Sequence, residues 1–259
     1  MTDTPPPHTS GTAISGGQPD ELPPPSGGTL RYQLACPVAR AFFALPESAG
    51  FHVAGGAALI VAGIVDRVTD ALDLVTAGAD LPRAVAAFTA ECQRRGWRTR
   101  VDPERDFATY TRVLVTPPGR AAEDAVIVEL ARDAAPLKPI GTTVLGPTID
   151  LEDSAGQKML ALFGRAAPRD FVDVFALAAR YSRAELLAFA VRRDAAFDGA
   201  VFADMITLLA QISDRQLDVT PDRAAAIRQF FARWRSELRH VGPAPAGQSS
   251  PAIQSSTWD

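Results

Sequence analysis

The hydrophobic pattern changes period near residue 148, and that change limits the fold more than any other feature of the chain. Before it, short apolar runs alternate with Gly- and Pro-marked turns. After it, apolar residues recur at helical spacing. The first half predicts a short helix over Pro37 to Leu45, an extended lead-in over Phe51 to Ala54, and a helical turn or two over Ala57 to Ala62. A strand follows over Thr69 to Val75 and a helix over Leu81 to Arg95, stopped by Gly96. Trp97 to Val101 and Thr109 to Thr116 read as strands. Pro117-Pro118-Gly119 reads as the turn into a returning strand, Asp124 to Ala131. The second half predicts helices over Leu151 to Arg165, from Pro168 to about Arg180, from Ser182 through Arg193, over Asp198 to Ile212, and over Pro221 to Val241. Tight turns join neighbouring strands, so the sheet is expected to be mixed or largely antiparallel. The fold class is α/β (α+β), a small mixed-sheet domain followed by a helical one.

The ends of the chain are different. Residues 1–28 and 242–259 are dominated by Pro, Gly, Ser and Thr and lack apolar anchors, so both are expected to be disordered. The folded part then divides into residues 30–148 and 149–241. The whole chain's 47% hydrophobic and 22% charged composition excludes disorder throughout. Two cysteines, Cys36 and Cys92, with no CxxC, argue against a disulfide scaffold or a zinc site and for a reduced, cytoplasmic protein. The longest apolar stretch, Val53 to Val65, is too short to span a membrane, and no basic start leads into an apolar block, so neither an anchor nor a signal peptide is expected. The net charge of -4 argues against a surface that grips nucleic acid everywhere, while leaving room for a local basic face. No GxGxxG or GxxxxGK[ST] motif occurs.

The stretch that carries chemistry runs from Gly55 to Leu74. Gly55-Gly56 opens a short helix, and Arg67 and Thr69 precede a strand carrying Asp73 between Leu72 and Leu74. Glycines allow close backbone approach, and N–H groups at a helix start favour phosphate. A carboxylate on the adjacent strand can hold a divalent cation against that phosphate. A second block follows: Ile149-Asp150-Leu151-Glu152-Asp153, then Lys158, Ala161-Leu162, Arg165, and Pro168-Arg169-Asp170-Phe171-Val172-Asp173. Lys138 and Lys158 are the only lysines among many arginines, which singles out Lys158 inside this block.

Together the two blocks resemble the AbiEii/AbiGii-type nucleotidyltransferase toxins of the polymerase-beta-like nucleotidyltransferase superfamily, from about Phe51 to Arg180. The resemblance implies transfer of a nucleoside monophosphate from an NTP to an acceptor hydroxyl, with RNA (tRNA ends included) as acceptor, Mg²⁺ or Mn²⁺ as cofactor, and a cognate antitoxin as a possible partner. Gly55 and Gly56 would seat the triphosphate, with Arg67, Lys158, Asp170 and Asp173 around the nucleotide. Asp73 and Asp70 would be the metal-binding carboxylates.

The chain departs from the family pattern at one place. The family reads Arg-x-Ser/Thr-x-Asp-x-Asp-Leu, whereas this chain reads Arg67-Val68-Thr69-Asp70-Ala71-Leu72-Asp73-Leu74, so the first acid falls on Ala71. Strand alternation puts 71 and 73 on one face and 70 on the other, so Asp70 replaces the missing ligand only if the strand start is bulged or turned. The third catalytic carboxylate is Glu129, on the face opposite Val126, Val128 and Leu130; its alternative is an acid on the open face of the sheet. Asp170 and Asp173 share a helix face. They form either the site rim or an ion-pair network with Arg165 and Arg169. An enzyme and a catalytically degenerate module that binds nucleotide, RNA or a protein are the two functional expectations.

Overall fold

The structure is a computed structural model and describes residues 30–66, 69, 71–102 and 108–240. Its first half is a seven-stranded mixed sheet. Strands β1 (Phe51–Ala54), β2 (Ala71–Thr76), β3 (Arg98–Val101), β4 (Tyr110–Thr116), β5 (Val126–Arg132), β6 (Gly141–Thr143) and β7 (Gly146–Thr148) lie in the order β3-β4-β5-β2-β1-β7-β6. β2 runs parallel to β5 and β1 parallel to β7, while the remaining neighbours are antiparallel. Helices α1 (Leu30–Phe43) and α3 (Leu81–Arg94) contribute to one core with the sheet. Strand alternation supplies that core: Leu72 and Leu74 from β2, Val113 and Val115 from β4, and Val128 and Leu130 from β5 are fully or almost fully buried. Phe42 of α1 meets Phe51 and Phe88 edge-on within it.

The second half is helical, with α4 (Leu151–Arg165), α5 (Pro168–Leu177), α6 (Arg183–Arg193), α7 (Gly199–Met205), α8 (Asp214–Leu217) and α9 (Pro221–His240). These helices enclose a second core around Met159, Leu162, Phe171, Phe231 and Trp234. Ser182 and Glu185 cap α6 reciprocally, as the sequence predicts. Gly156 lets α4 and α6 meet closely: a Cβ there would come 2.9 Å from the Phe189 carbonyl. The short helix α2 (Gly55–Val61) joins the halves. Its Ala57 and Ala58 pack in the sheet core and its Leu59 in the helical core.

The expected fold class holds, with local corrections. The first helix begins at Leu30 rather than Pro37, and Pro37 lies inside it. The hairpin β6–β7 was not legible, because its strands carry Gly, Thr and Pro and the apolar Val144-Leu145 pair falls in the turn. The helix expected over Asp198 to Ile212 ends at Met205 and continues as a 3₁₀ turn over Ile206–Gln211. Among the described residues no helix is long and apolar enough to cross a membrane.

Candidate active site

The sheet face turned away from α1 and α3 forms the floor of a cleft of about 700 Å³, and α4 forms its opposite wall. Ala71, Asp73 and Val75 reach the cleft from β2, Ile127 and Glu129 from β5, and Arg112 from β4. The alternation that buries Leu72 and Leu74 is what aims Asp73 outward. Asp73 and Glu129 are direct neighbours in the parallel β2/β5 ladder, and Glu129 faces Arg112 across the β4/β5 ladder.

Gly55 sits against Asp73 at the start of α2. Its φ is +61°, and a Cβ there would fall 1.8 Å from Asp73 Oδ2, so glycine is required on two counts. The Gly56 N–H donates to the Asp73 carboxylate, which therefore occupies the helix start itself. Burial is the main influence on this carboxyl, and the Glu129 charge adds to it; together they outweigh Lys158, the Gly56 N–H and Arg169 and push its pKa up to about 6. Glu129 goes the other way. Burial would raise it, but hydrogen bonds from Tyr110 and Arg112, with the charges of Arg112 and Arg169, hold it below the usual carboxylate range. Arg112 Nη2 and Nε donate to Glu129 Oε1 at 2.6 and 3.1 Å.

The helical wall is built from ion pairs to buried acids. Lys158 Nζ lies 2.8 Å from Asp173 Oδ2, with the two side chains 10% and 0% exposed. Arg165 donates twice to Asp170 at 2.8 Å, and Asp170 also accepts the Ala167 N–H at the start of α5. Lys158 and Arg165 line the cleft, whereas Asp170 and Asp173 stand behind them, fully buried. At one end of the cleft Arg193 bridges Asp153 and Asp133, each at 3.3 Å. Asp153 in turn accepts the N–H groups of Leu137 and Lys138. His52 lies buried on β1 near this network, with Nε2 unpartnered among the described residues, and burial first, then Arg193, lowers its pKa.

The structure thus gathers Gly55, Gly56, Asp73, Glu129 and Lys158 into one cleft. It sets Asp170 and Asp173 behind the wall as supports for Arg165 and Lys158, in an ion-pair network that does not include Arg169. Arg67 and Asp70 lie outside the described residues. Sequence reasoning did not assign Arg112 or Arg193 to the site. Arg112 was hidden by register. A turn centred on Pro118 pairs Glu129 with residue 107, but the connection runs through a 3₁₀ turn at Ala122–Asp124, and Arg112 becomes the partner. Nothing in the sequence marks Arg193.

Among the described lining residues, Arg112, Lys158, Arg165, Arg169 and Arg193 face only Asp73, Glu129 and Asp133. Asp173, Asp170 and Asp153 behind them balance Lys158, Arg165 and Arg193, so the cleft offers phosphate oxygens hydrogen-bond donors rather than a net positive charge. No group of three His, Cys, Asp or Glu among the described residues could hold a metal by itself. Asp73 offers one carboxylate, and one Glu129 oxygen is committed to Arg112. This donor set fits a magnesium ion that shares its coordination with substrate phosphates and water, not one caged by protein alone.

The model of the nucleotidyl transferase AbiEii toxin family, type IV toxin–antitoxin system, matches residues 39–253. The chain belongs to this family. It is therefore a nucleotidyltransferase toxin of the type IV class, and the cleft described above lies within the matched AbiEii region. A search of curated proteins returns no match. Among solved structures, JHP933 from Helicobacter pylori is similar at 12% identity, covering 82% of this chain and 93% of its own, with a TM-score of 0.52. A candidate nucleotidyltransferase from H. pylori is similar at 13% identity, covering 82% and 98%, with a TM-score of 0.53. MenT4, a nucleotidyltransferase toxin from Mycobacterium tuberculosis, is 15% identical over 80% of this chain and 97% of its own, with a TM-score of 0.45. The two H. pylori structures share the AbiEii chain's fold.

Proposed function

We propose that this AbiEii-family protein transfers a nucleoside monophosphate from an NTP to a hydroxyl at an RNA end, with tRNA as the acceptor class and a cognate antitoxin as its natural antagonist. The observation that carries this reading is the placement of Asp73 and Glu129 side by side on the sheet floor, opposite Lys158 and Arg165 on the helical wall. The triphosphate lies between the two walls. Gly55 and Gly56 keep the floor low, and Lys158 and Arg165 face the phosphate charge. The acceptor oxygen bonds to the α-phosphorus as the bond to pyrophosphate breaks. The hydroxyl proton passes to a carboxylate on the sheet floor: Asp73 would be taken up with the cation, which leaves Glu129, its direct neighbour in the β2/β5 ladder, to help activate the hydroxyl. Asp73 would hold Mg²⁺ or Mn²⁺ together with the phosphates, where such an ion would supply neutralisation of the developing charge. Labelled NTP offered with total tRNA and either ion tests the reading: the tRNA becomes labelled with at least one of the four NTPs. No label under any combination would refute it.

One observation favours a second reading, a degenerate module that binds nucleotide, RNA or a protein without transfer. Ala71 occupies the cleft position where the family carries its first acid. Ala71→Asp separates the two. A large gain over an inactive parent marks a disabled site, whereas an active parent with no gain shows that the site works without that acid.

A further inference from the structure

A second cavity, of about 600 Å³, adjoins the cleft and shares one residue with it, Arg169. Val65, Val172, Leu217 and Val219 give it an apolar lining, and Arg223 faces it from the first turn of α9. Among the described residues neither Arg169 nor Arg223 makes a side-chain hydrogen bond or an ion pair, although Asp66 and Asp218 line the same cavity. Two uncommitted guanidinium groups beside an apolar wall suit a planar, negatively tethered group: a nucleobase against the valines and leucine, with its phosphodiester on the arginines. Arg169 lines both cavities, so a phosphate held by it borders the catalytic cleft. A free NTP already has Lys158 and Arg165 for its phosphates in the first cleft, so the second cavity fits the other substrate.

We infer that this cavity is the acceptor-strand subsite. It seats a nucleotide next to the reacting end of a single-stranded RNA, with Arg169 bridging it to the catalytic cleft. The inference rests on the transferase reading above and gives the acceptor strand, which that reading calls for, a place in the fold. Bases of a single strand are free to leave the stack and lie on a protein surface, as those of a duplex are not.

The test uses the full chain and a fluorescein-labelled single-stranded RNA hexamer with a free 3′ hydroxyl. Val219→Trp fills the cavity, and Arg223→Glu reverses its outer charge. Anisotropy measures RNA affinity, and the melting shift with each of the four NTPs and Mg²⁺ reports on the first cleft. Each variant is expected to weaken RNA binding roughly tenfold or more, the range of one lost stacking or phosphate contact, and to keep the parent's NTP shift. Unchanged RNA affinity in both variants overturns the inference, as does a parent that shows an NTP shift but binds no RNA. Weakened binding of a free nucleoside monophosphate with RNA binding intact also overturns it, because the cavity is then a mononucleotide seat. If no NTP shifts the parent but both variants still lose RNA, the RNA subsite stands and the transferase reading falls.

Discussion

The two walls of the cleft solve the problem of buried charge in opposite ways. On the helical wall the two α4 cations are each matched to a fully buried acid: Lys158 to Asp173, and Arg165 to Asp170. On the sheet floor Glu129 is matched to Arg112, but Asp73 has only the Gly56 N–H and more distant charges, and its pKa rises to about 6. The α4 face of the wall is thus internally balanced, while the floor carries a carboxylate whose charge the surrounding groups compensate poorly. A group with that cost is one a positively charged ligand can relieve, and the contrast separates support from chemistry within one cavity.

Breaking the helical wall should cost the most. Asp173→Ala leaves Lys158 buried without its partner, and loss of one member of such a pair costs about 3–5 kcal/mol. Melting should fall by roughly 6–20 °C by scanning calorimetry. Asp73→Asn should act with the opposite sign, and it sharpens the contrast most. A raised carboxyl binds its proton more tightly in the folded state, so its contribution favours folding at low pH and is lost as pH rises from about 4 to about 6. Denaturant titrations in metal-free buffer should find the variant more stable than the parent above pH 6, by up to roughly 3 kcal/mol, and about equal near pH 4. Transfer activity should be lost in the same variant.

Arg112→Gln should have the smallest effect. The lowered Glu129 favours folding above the ordinary carboxylate pKa, a contribution lost as pH falls through its depressed value. Both partners are partly exposed, so the loss at neutral pH should be about 1 kcal/mol or less, and it should vanish in acid. Chemical denaturation over a falling pH series from 7 checks both parts. A loss that grows rather than shrinks as the pH falls would break the assignment of Glu129 as the compensated acid.

Much of this site could be read from residues alone, because two periodicities carry it. Alternation along β2 and β5 put Asp73 and Glu129 opposite the buried leucines and valines, and helical spacing put Asp170 and Asp173 on one face. What stayed hidden depended on quantities that spacing does not contain. Whether the Asp170–Asp173 face turns into the cleft or behind it is decided by how α5 docks on α4. Arg112 became a partner of Glu129 through the length of the connection after Pro117, and Arg193 entered the site through the close α4–α6 contact at Gly156. The hairpin β6–β7 had too little apolar alternation to be seen.

The central claim is that an NTP lies between these two unlike walls. A crystal structure of the full-length protein with a non-hydrolysable NTP analogue and Mg²⁺ tests it most directly. The account predicts the triphosphate over Gly55-Gly56, with the α-phosphate beside Asp73 and the outer phosphates facing Lys158 and Arg165. An analogue bound elsewhere, or phosphates turned away from Asp73 and Lys158, would contradict it.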